Sequence, residues 1–350
     1  MIYYIIPYIF AILSSIFFYF SNKKNSFFIS FICLLPASFI VLFRGNVGTD
    51  TDVYLRFYRE LIRNVEYDSS FEIGFTFLSK FLVNLGVNES QGVATIGLIT
   101  IILLCMCFSE NYDKLLIFSL LIFPTFFYDM TMNGLRYGLS FALISIAVQN
   151  LYKRRRFIFI VISLMAFSIQ STSLFIFVLF FMSELKLKVI VITFSLVIVI
   201  LYFTTFSIIN LDYFYGKQDI YKDFYSPDIL SGLSPLIIFL LTYFTFLFFC
   251  KNELGNLNKV IHIILLLEIL SFLLAKFSYA GLRFQMLFLF SLMLFVSNNI
   301  NLLQSKTKIM YCFWFIGVIS FLITVKHFNS NDDEVVSSFL PYKFYWDELN

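Results

Sequence analysis

The chain has 350 residues, of which 60% are hydrophobic and 13% charged, with a net charge of +3. Soluble domains carry about a quarter charged residues, so this composition excludes a soluble globular protein and indicates a membrane protein. The 49 Phe and 21 Tyr follow the bias that AT-rich coding gives to Phe, Ile, Tyr, Asn and Lys, and call for no special aromatic function.

A bilayer crossing takes about 17–25 apolar residues, with shorter runs tolerated in bundles. Runs of this kind predict helices over 2–20, 27–43, 93–109, 114–128, 137–152, 157–168, 174–184, 189–209, 235–250, 260–276, 284–303 and 309–325. The first starts at Ile2 with no basic stretch before it and no convincing cleavage site, so it reads as a retained span. The runs 157–168 and 174–184 are short: they are either two helices that dip and return, or one helix broken at Ser168–Ser173. Lys23-Lys24, Lys153-Arg154-Arg155-Arg156, Lys186 with Lys188, Lys251 with Lys259 and Lys306 with Lys308 fall in alternate loops. Those loops are therefore read as cytoplasmic and both termini as external. The expected fold is all-α, a polytopic membrane bundle of about 10–12 transmembrane helices. One integral membrane domain spans 1–350, with external loops 44–92 and 210–234 and an external C-terminal tail 326–350.

Five cysteines lie in apolar segments or at their ends, with neither a disulfide framework nor zinc-ligand spacing. The densest polar segment is Phe43-Arg44-Gly45-Asn46-Val47-Gly48-Thr49-Asp50-Thr51-Asp52-Val53-Tyr54. Gly45 and Gly48 permit a tight backbone, and Thr49 or Asp50 suits an N-cap. Beyond it, Leu55, Tyr58, Leu61, Ile62 and Val65 form one helical stripe, with Arg56, Arg59 and Arg63 on another. This pattern predicts an amphipathic helix in the headgroup layer. A helix N-terminus beside Arg44 suits a phosphate. The arginines of the second stripe equally suit pairing with Asp52, Glu60 or lipid phosphates. Asp50 and Asp52 have D-x-D spacing, yet on a helix they point about 200° apart, so no metal site is expected there.

Glu72, in Phe71-Glu72-Ile73-Gly74-Phe75, is either an acid/base group or a carboxylate at a helix N-terminus. Arg136 and Arg283 each stand where a predicted span begins, placed for an anionic ligand or for snorkelling to headgroups. Glu268 is an intramembrane carboxylate, and Ser168–Ser173 is a polar break that is either a turn or a cavity lining. There is no P-loop or nucleotide-binding domain, which argues against an ATP-driven transporter.

The string Arg44…Val47-Gly48-Thr49-Asp50…Tyr54…Phe57 resembles the opening signature of EpsG-type polysaccharide polymerases, a branch of the Wzy-like O-antigen polymerases. Glu72, Gly74, Phe75 and Leu78 match the Glu-x-Gly-Phe element that follows. Asn133-Gly134-Leu135-Arg136 matches a later helix start, with Tyr137 where the family has Gln. Ile169-Gln170-Ser171-Thr172-Ser173 stands at the family's Phe-His-x-Ser-Ala hairpin, with Gln170 in place of the histidine, and Arg283-Phe284 matches a late arginine.

The resemblance implies a GT-C-like glycosyltransferase architecture in the bacterial inner membrane, with its active site facing the periplasm. It implies polymerisation of undecaprenyl-pyrophosphate-linked oligosaccharide units, the donor and acceptor glycans being partners together with membrane lipids and a chain-length regulator. No cofactor and no nucleic acid is expected. Arg44, Arg136 and Arg283 would stabilise the departing pyrophosphate, and Asp50 or Glu72 would take the acceptor proton. Tyr54, Gln170, Arg56 and Thr49 would bind or orient substrate; Gln170, lacking a titratable group, can position but not act as a base. An O-antigen ligase, another lipid-linked glycosyltransferase, or a flippase or secondary transporter are the alternatives. The concentration of charge at the rims favours interfacial chemistry over transport, whose sites sit near the midplane.

Overall fold

The computed structural model describes residues 1–21, 26–64, 71–182, 230–250, 257–329 and 337–348. The predicted span 189–209 and most of loop 210–234 lie outside them. The described residues are helical nearly throughout and contain no strand: α1 Ile2–Phe20, α2 Phe27–Leu42, α3 Thr51–Ile62, α4 Ile73–Asn84, α5 Glu89–Phe108, α6 Tyr112–Ile117, α7 Leu135–Tyr152, α8 Arg156–Ile169, α9 Ser173–Met182, α10 Leu233–Phe249, α11 Leu257–Leu274, α12 Tyr279–Asn298 and α13 Lys306–Phe328. Between α6 and α7 the chain continues as π-helix over Phe118–Phe127 and Asp129–Asn133. Among these, α1, α5, α12 and α13 are long and apolar enough to cross a membrane, and five shorter apolar helices accompany them. The chain is an all-α polytopic membrane protein.

Two compact units divide the chain, one comprising Met1–Phe175, Leu241–Lys251 and Met293–Asn350, the other Ile176–Leu240 and Asn252–Leu292. In the first, α1 packs on α2, α2 on α5, α5 on α7 and α7 on α8, while α13 packs along the π-helical stretch. That stretch is buried on all sides, so its apolar run carries no face for periodicity to report.

The predicted external loop 44–92 is largely helical, containing α3 and α4. The buried face of α3 is Thr51, Tyr54, Phe57 and Tyr58, whereas Ile62, assigned from sequence to the apolar stripe, is 44% exposed. Leu55, Tyr58 and Leu61 of the expected stripe do face the core, and the buried face extends past them to Tyr54 and Phe57, where Phe71, Phe75, Leu135 and Leu139 join the same cluster. Its opposite face carries Arg56 paired with Asp52, and Arg59 held by two hydrogen bonds to Glu89 (2.8 and 3.2 Å) at the start of α5.

At the far end of α5, about 30 Å away for a helix of this length, Glu110 accepts from Lys114 (2.5 Å), Lys153 (3.1 Å) and Gln149 (2.6 Å). Burial raises the Glu110 carboxyl, but these donors outweigh it and hold the group at about 2. Charge is thus gathered at both ends of the α5 layer.

The tail is not free of the bundle. α13 runs on to Phe328, three residues into the segment expected as tail. Residues 337–348 then lie as a strap across the α2–α3 loop. Gly45 N–H donates to Lys343 O (2.9 Å), Gly48 N–H to Ser338 O (2.8 Å) and Tyr345 N–H to Phe43 O (3.1 Å), flanking an antiparallel bridge between Arg44 and Phe344. Tyr342 Oη–H donates to Ile40 O (2.6 Å) and Tyr4 Oη–H to Phe339 O (3.0 Å). The rings of Tyr3, Tyr342, Phe344 and Trp346 touch in succession along the strap, tilted between Tyr3 and Tyr342, edge-to-face between Tyr342 and Phe344 and stacked between Phe344 and Trp346.

Candidate functional site

Arg44 follows directly on α2 and is 6% exposed. Its Nε, Nη1 and Nη2 are all buried without a hydrogen-bond acceptor among the described residues. Burial pulls the guanidinium down to about 10, a shift opposed by its neighbours Tyr342, Tyr4 and Tyr54. Arginine therefore remains charged at neutral pH, and it holds five unsatisfied N–H donors in a pocket walled by tyrosines. A buried cation without a partner costs several kcal/mol, and native folds rarely keep one unless a ligand supplies the counter-charge.

Tyr54 connects this pocket to a second cationic centre. Burial raises its phenol, which therefore stays protonated at neutral pH, and its oxygen accepts from Arg136 N–H (3.4 Å). The Arg136 side chain pairs with Glu72 (2.5 Å) and lies over the Phe71 ring, 4.2 Å from its centre, while its Nε is buried without a partner. Glu72 stands at the N-cap of α4, yet its carboxylate makes no capping bond to that helix. Its other oxygen instead accepts from Ser171 N–H and Oγ–H, both at 3.2 Å.

The runs 156–169 and 173–182 are two helices separated by an extended Gln170, and Glu72 ties their junction to α7. None of the hydrogen bonds closing this junction uses the Gln170 side-chain amide; Ser173 N–H and Oγ–H both donate to the Gln170 carbonyl. Three sequence elements far apart in the chain, at 72, 136 and 171, thus meet in one cluster.

Two glycines let the backbones approach. Gly48 adopts φ +112°, and a Cβ there would lie 2.8 Å from Met132 O. A Cβ on Gly74 would lie 2.3 Å from Ser168 Oγ and 2.7 Å from Ser168 O, so only glycine seats α4 against the end of α8. Gly74→Ala is expected to destabilise the fold by about 1–3 kcal/mol through overpacking, and an unchanged melting temperature in detergent would refute this contact. Glu72 and Arg136 side chains are 23% and 22% exposed. A double-mutant cycle with Glu72→Gln and Arg136→Met should give a coupling of about 1.5–3 kcal/mol, the range of charge-assisted hydrogen bonds. Additive single effects would contradict the pairing.

At the rim, Asp50 occupies the N-cap of α3 without a side-chain capping bond, and its N–H donates to Asn133 Oδ1 (3.1 Å). Thr49 Oγ1–H reaches the same Asn133 oxygen, and Thr51 Oγ1–H, bonded to Val47 O within the loop (2.7 Å), also reaches Met132 O (3.3 Å), fastening the loop to the π-helix end. Thr49 and Asp50 are exposed, as is Arg56, whose guanidinium is engaged by Asp52. The first unit therefore brings together Arg44, Thr49, Asp50, Tyr54, Glu72, Arg136 and the Gln170 junction. Arg283 belongs to the second unit, exposed on α12 with its guanidinium 5.0 Å from the Tyr279 ring centre. Sequence reasoning missed Tyr4 and Tyr342, which no local signal marks, and gave no role to Asn133, although the residue opens the quoted Asn133–Arg136 motif.

No curated protein and no solved structure matches the chain. Residues 27–344 match the EpsG family, from the first residue of α2 to the strap residue bridged to Arg44. The matched range contains every side chain of the Arg44–Tyr54–Arg136–Glu72 cluster, and the chain belongs to the EpsG family.

Proposed function

We propose that the protein polymerises undecaprenyl-pyrophosphate-linked oligosaccharide repeat units on the periplasmic face of the inner membrane, building an O-antigen or related surface polysaccharide. The observation that carries this reading is the buried Arg44 guanidinium with every nitrogen lacking an acceptor. A pyrophosphate presents several charged oxygens, and arginine grips such oxygens in pairs. Membership of the EpsG family and the gathering of Arg136 beside Tyr54 support the same reading.

In the proposed step, a hydroxyl oxygen of the acceptor sugar attacks the anomeric carbon of the donor glycan. The bond from that carbon to the pyrophosphate oxygen breaks, and the lipid pyrophosphate leaves with the electron pair. Arg44 and Arg136 stabilise the charge as it develops. Both Glu72 oxygens already accept from protein donors, so Asp50 is assigned the acceptor proton and Glu72 the holding of Arg136 against the helix junction. Tyr54 spaces the two cations, while Gln170 and Thr49 offer hydrogen bonds to sugar. Because Arg44 is covered, the strap lifts for the pyrophosphate to enter. Arg283 remains a candidate for stabilising the departing pyrophosphate by its charge and helix-end position.

The test is a deletion strain examined by polysaccharide gel and complemented with the wild-type and Asp50→Ala chains. Loss of the ladder with a single capped repeat retained, restored by wild type and not by Asp50→Ala, is the expected result. Loss of every repeat points to a flippase or ligase, and an unchanged ladder removes the proposal.

A further inference from the structure

Within the second unit, α11 and α12 carry a polar pair that this chemistry does not use. Glu268 and Gln285 are both 0% exposed. Gln285 Nε2 donates one N–H to Glu268 Oε1 (3.1 Å) and one to Gly232 O (3.0 Å). Both amide hydrogens are then committed. Glu268 Oε2 and Gln285 Oε1 are left buried with no partner among the described residues.

Two orphan oxygens and no orphan hydrogen mark a missing donor. The basic groups of these elements, Lys259 included, are engaged or exposed. Lys276 Nζ donates to Ser231 O (2.6 Å) and sits 4.2 Å from the centre of the Phe272 ring. His262, on the same helix as Glu268, and Arg283, on the same helix as Gln285, are exposed. An ionised carboxylate here would hold a full charge, with a single hydrogen bond, inside apolar helices, which is among the costliest arrangements in a membrane protein. One proton removes the mismatch. A carboxylic acid donates from one oxygen and accepts at the other, and a primary amide offers the complementary pair. In such a ring one amide hydrogen meets the acid carbonyl, and the other is left for Gly232 O, matching the two acceptors of Gln285 Nε2. A metal cation needs six or more oxygen ligands in the calcium case and an octahedral set for magnesium; the described residues leave only two oxygens unclaimed here.

We propose that Glu268 is held as the neutral carboxylic acid, a one-proton site closed by Gln285 in a ring of two hydrogen bonds. The proton resides on Glu268 Oε2 and is donated to Gln285 Oε1, with no bond to carbon made or broken. The pair fixes the register of α11 against α12 without placing a charge between them.

The test is infrared spectroscopy of the full chain in lipid at neutral pH, with Glu268→Gln as the difference reference. The expected result is a carbonyl stretch of a protonated carboxyl that shifts in heavy water and is absent from Glu268→Gln. Glu268→Gln should melt with the wild type, because an amide–amide ring keeps both hydrogen bonds, whereas Gln285→Leu should melt lower. Absence of the band overturns the proposal. So does a melting temperature that rises with sodium or potassium in the wild type and not in Glu268→Gln, since a metal cation would then fill the site. The readouts involve no polymerisation, so the proposal stands or falls apart from the one above.

Discussion

Replacing Arg44 by methionine is expected to abolish chain extension while leaving the protein in the membrane at normal abundance and at least as stable as the wild type. The two halves of this result have one cause. Arg44 keeps its charge at neutral pH although burial pulls it down to about 10, and none of its nitrogens has an acceptor. In the resting protein this cation is a net cost, and apolar residues of similar volume in place of buried charges are often neutral or stabilising by about 1–4 kcal/mol. In the reaction the same cation meets the departing pyrophosphate, where losing one preorganised donor group typically costs about 10²–10³ in rate. Arg44→Lys should fall between, since an ammonium retains the charge but loses the fork that holds two oxygens at once. The measurements are the polysaccharide ladder in the complemented deletion strain and the melting temperature in detergent. A structural arginine would behave differently: Arg44→Met would lower the melting temperature and the abundance, and the ladder would fade only in proportion.

The residues behind that prediction were visible in the sequence; the reason they act together was not. Arg44 and Arg136 stand at boundaries of predicted apolar runs, which are legible from hydropathy, whereas Asp50, Tyr54 and Glu72 were marked by the polar loop and the family signature. Within the described residues the helices other than α3 and α4, which lie in the predicted external loop 44–92, fall close to the predicted runs for the same cause: an apolar stretch in a bilayer has no way to satisfy its backbone except as a helix. The pairing of Glu72 with Arg136 and Ser171 depends on which helices become neighbours, and local sequence does not carry that. The face of α3 was read in part: Leu55, Tyr58 and Leu61 of the expected stripe do pack on the core, but Tyr54 and Phe57 outside that stripe are buried and Ile62 within it is exposed. The rings of Tyr54, Phe57 and Tyr58 fill the space against Phe71 and Phe75. The strap left no signal at all. Tyr342 meets Ile40 across 302 residues, and its contacts run through main-chain carbonyls that any residue could offer.

Locking the strap shut should stop polymerisation reversibly. Phe43 and Tyr345 are joined by a main-chain hydrogen bond and flank the Arg44–Phe344 bridge on opposite strands. Opposed antiparallel residues lie about 4.5–5.5 Å apart between Cα atoms, a separation that a disulfide spans without moving the backbone. In Phe43→Cys/Tyr345→Cys, oxidation is expected to silence extension and reduction to restore it, with each single variant active under both conditions. The reasoning is steric: Arg44 is 6% exposed beneath the strap, so a lipid-linked pyrophosphate can reach the guanidinium only when the cover lifts. Truncation after Val336 makes the converse case. It strips Gly45 and Gly48 of their acceptors Lys343 O and Ser338 O and frees the loop that presents Arg44. Extension should therefore fall through poor positioning, even though access is now open. Full activity of the oxidised double variant would mean that the pyrophosphate is held elsewhere, and Arg44 would then lose its place in the mechanism.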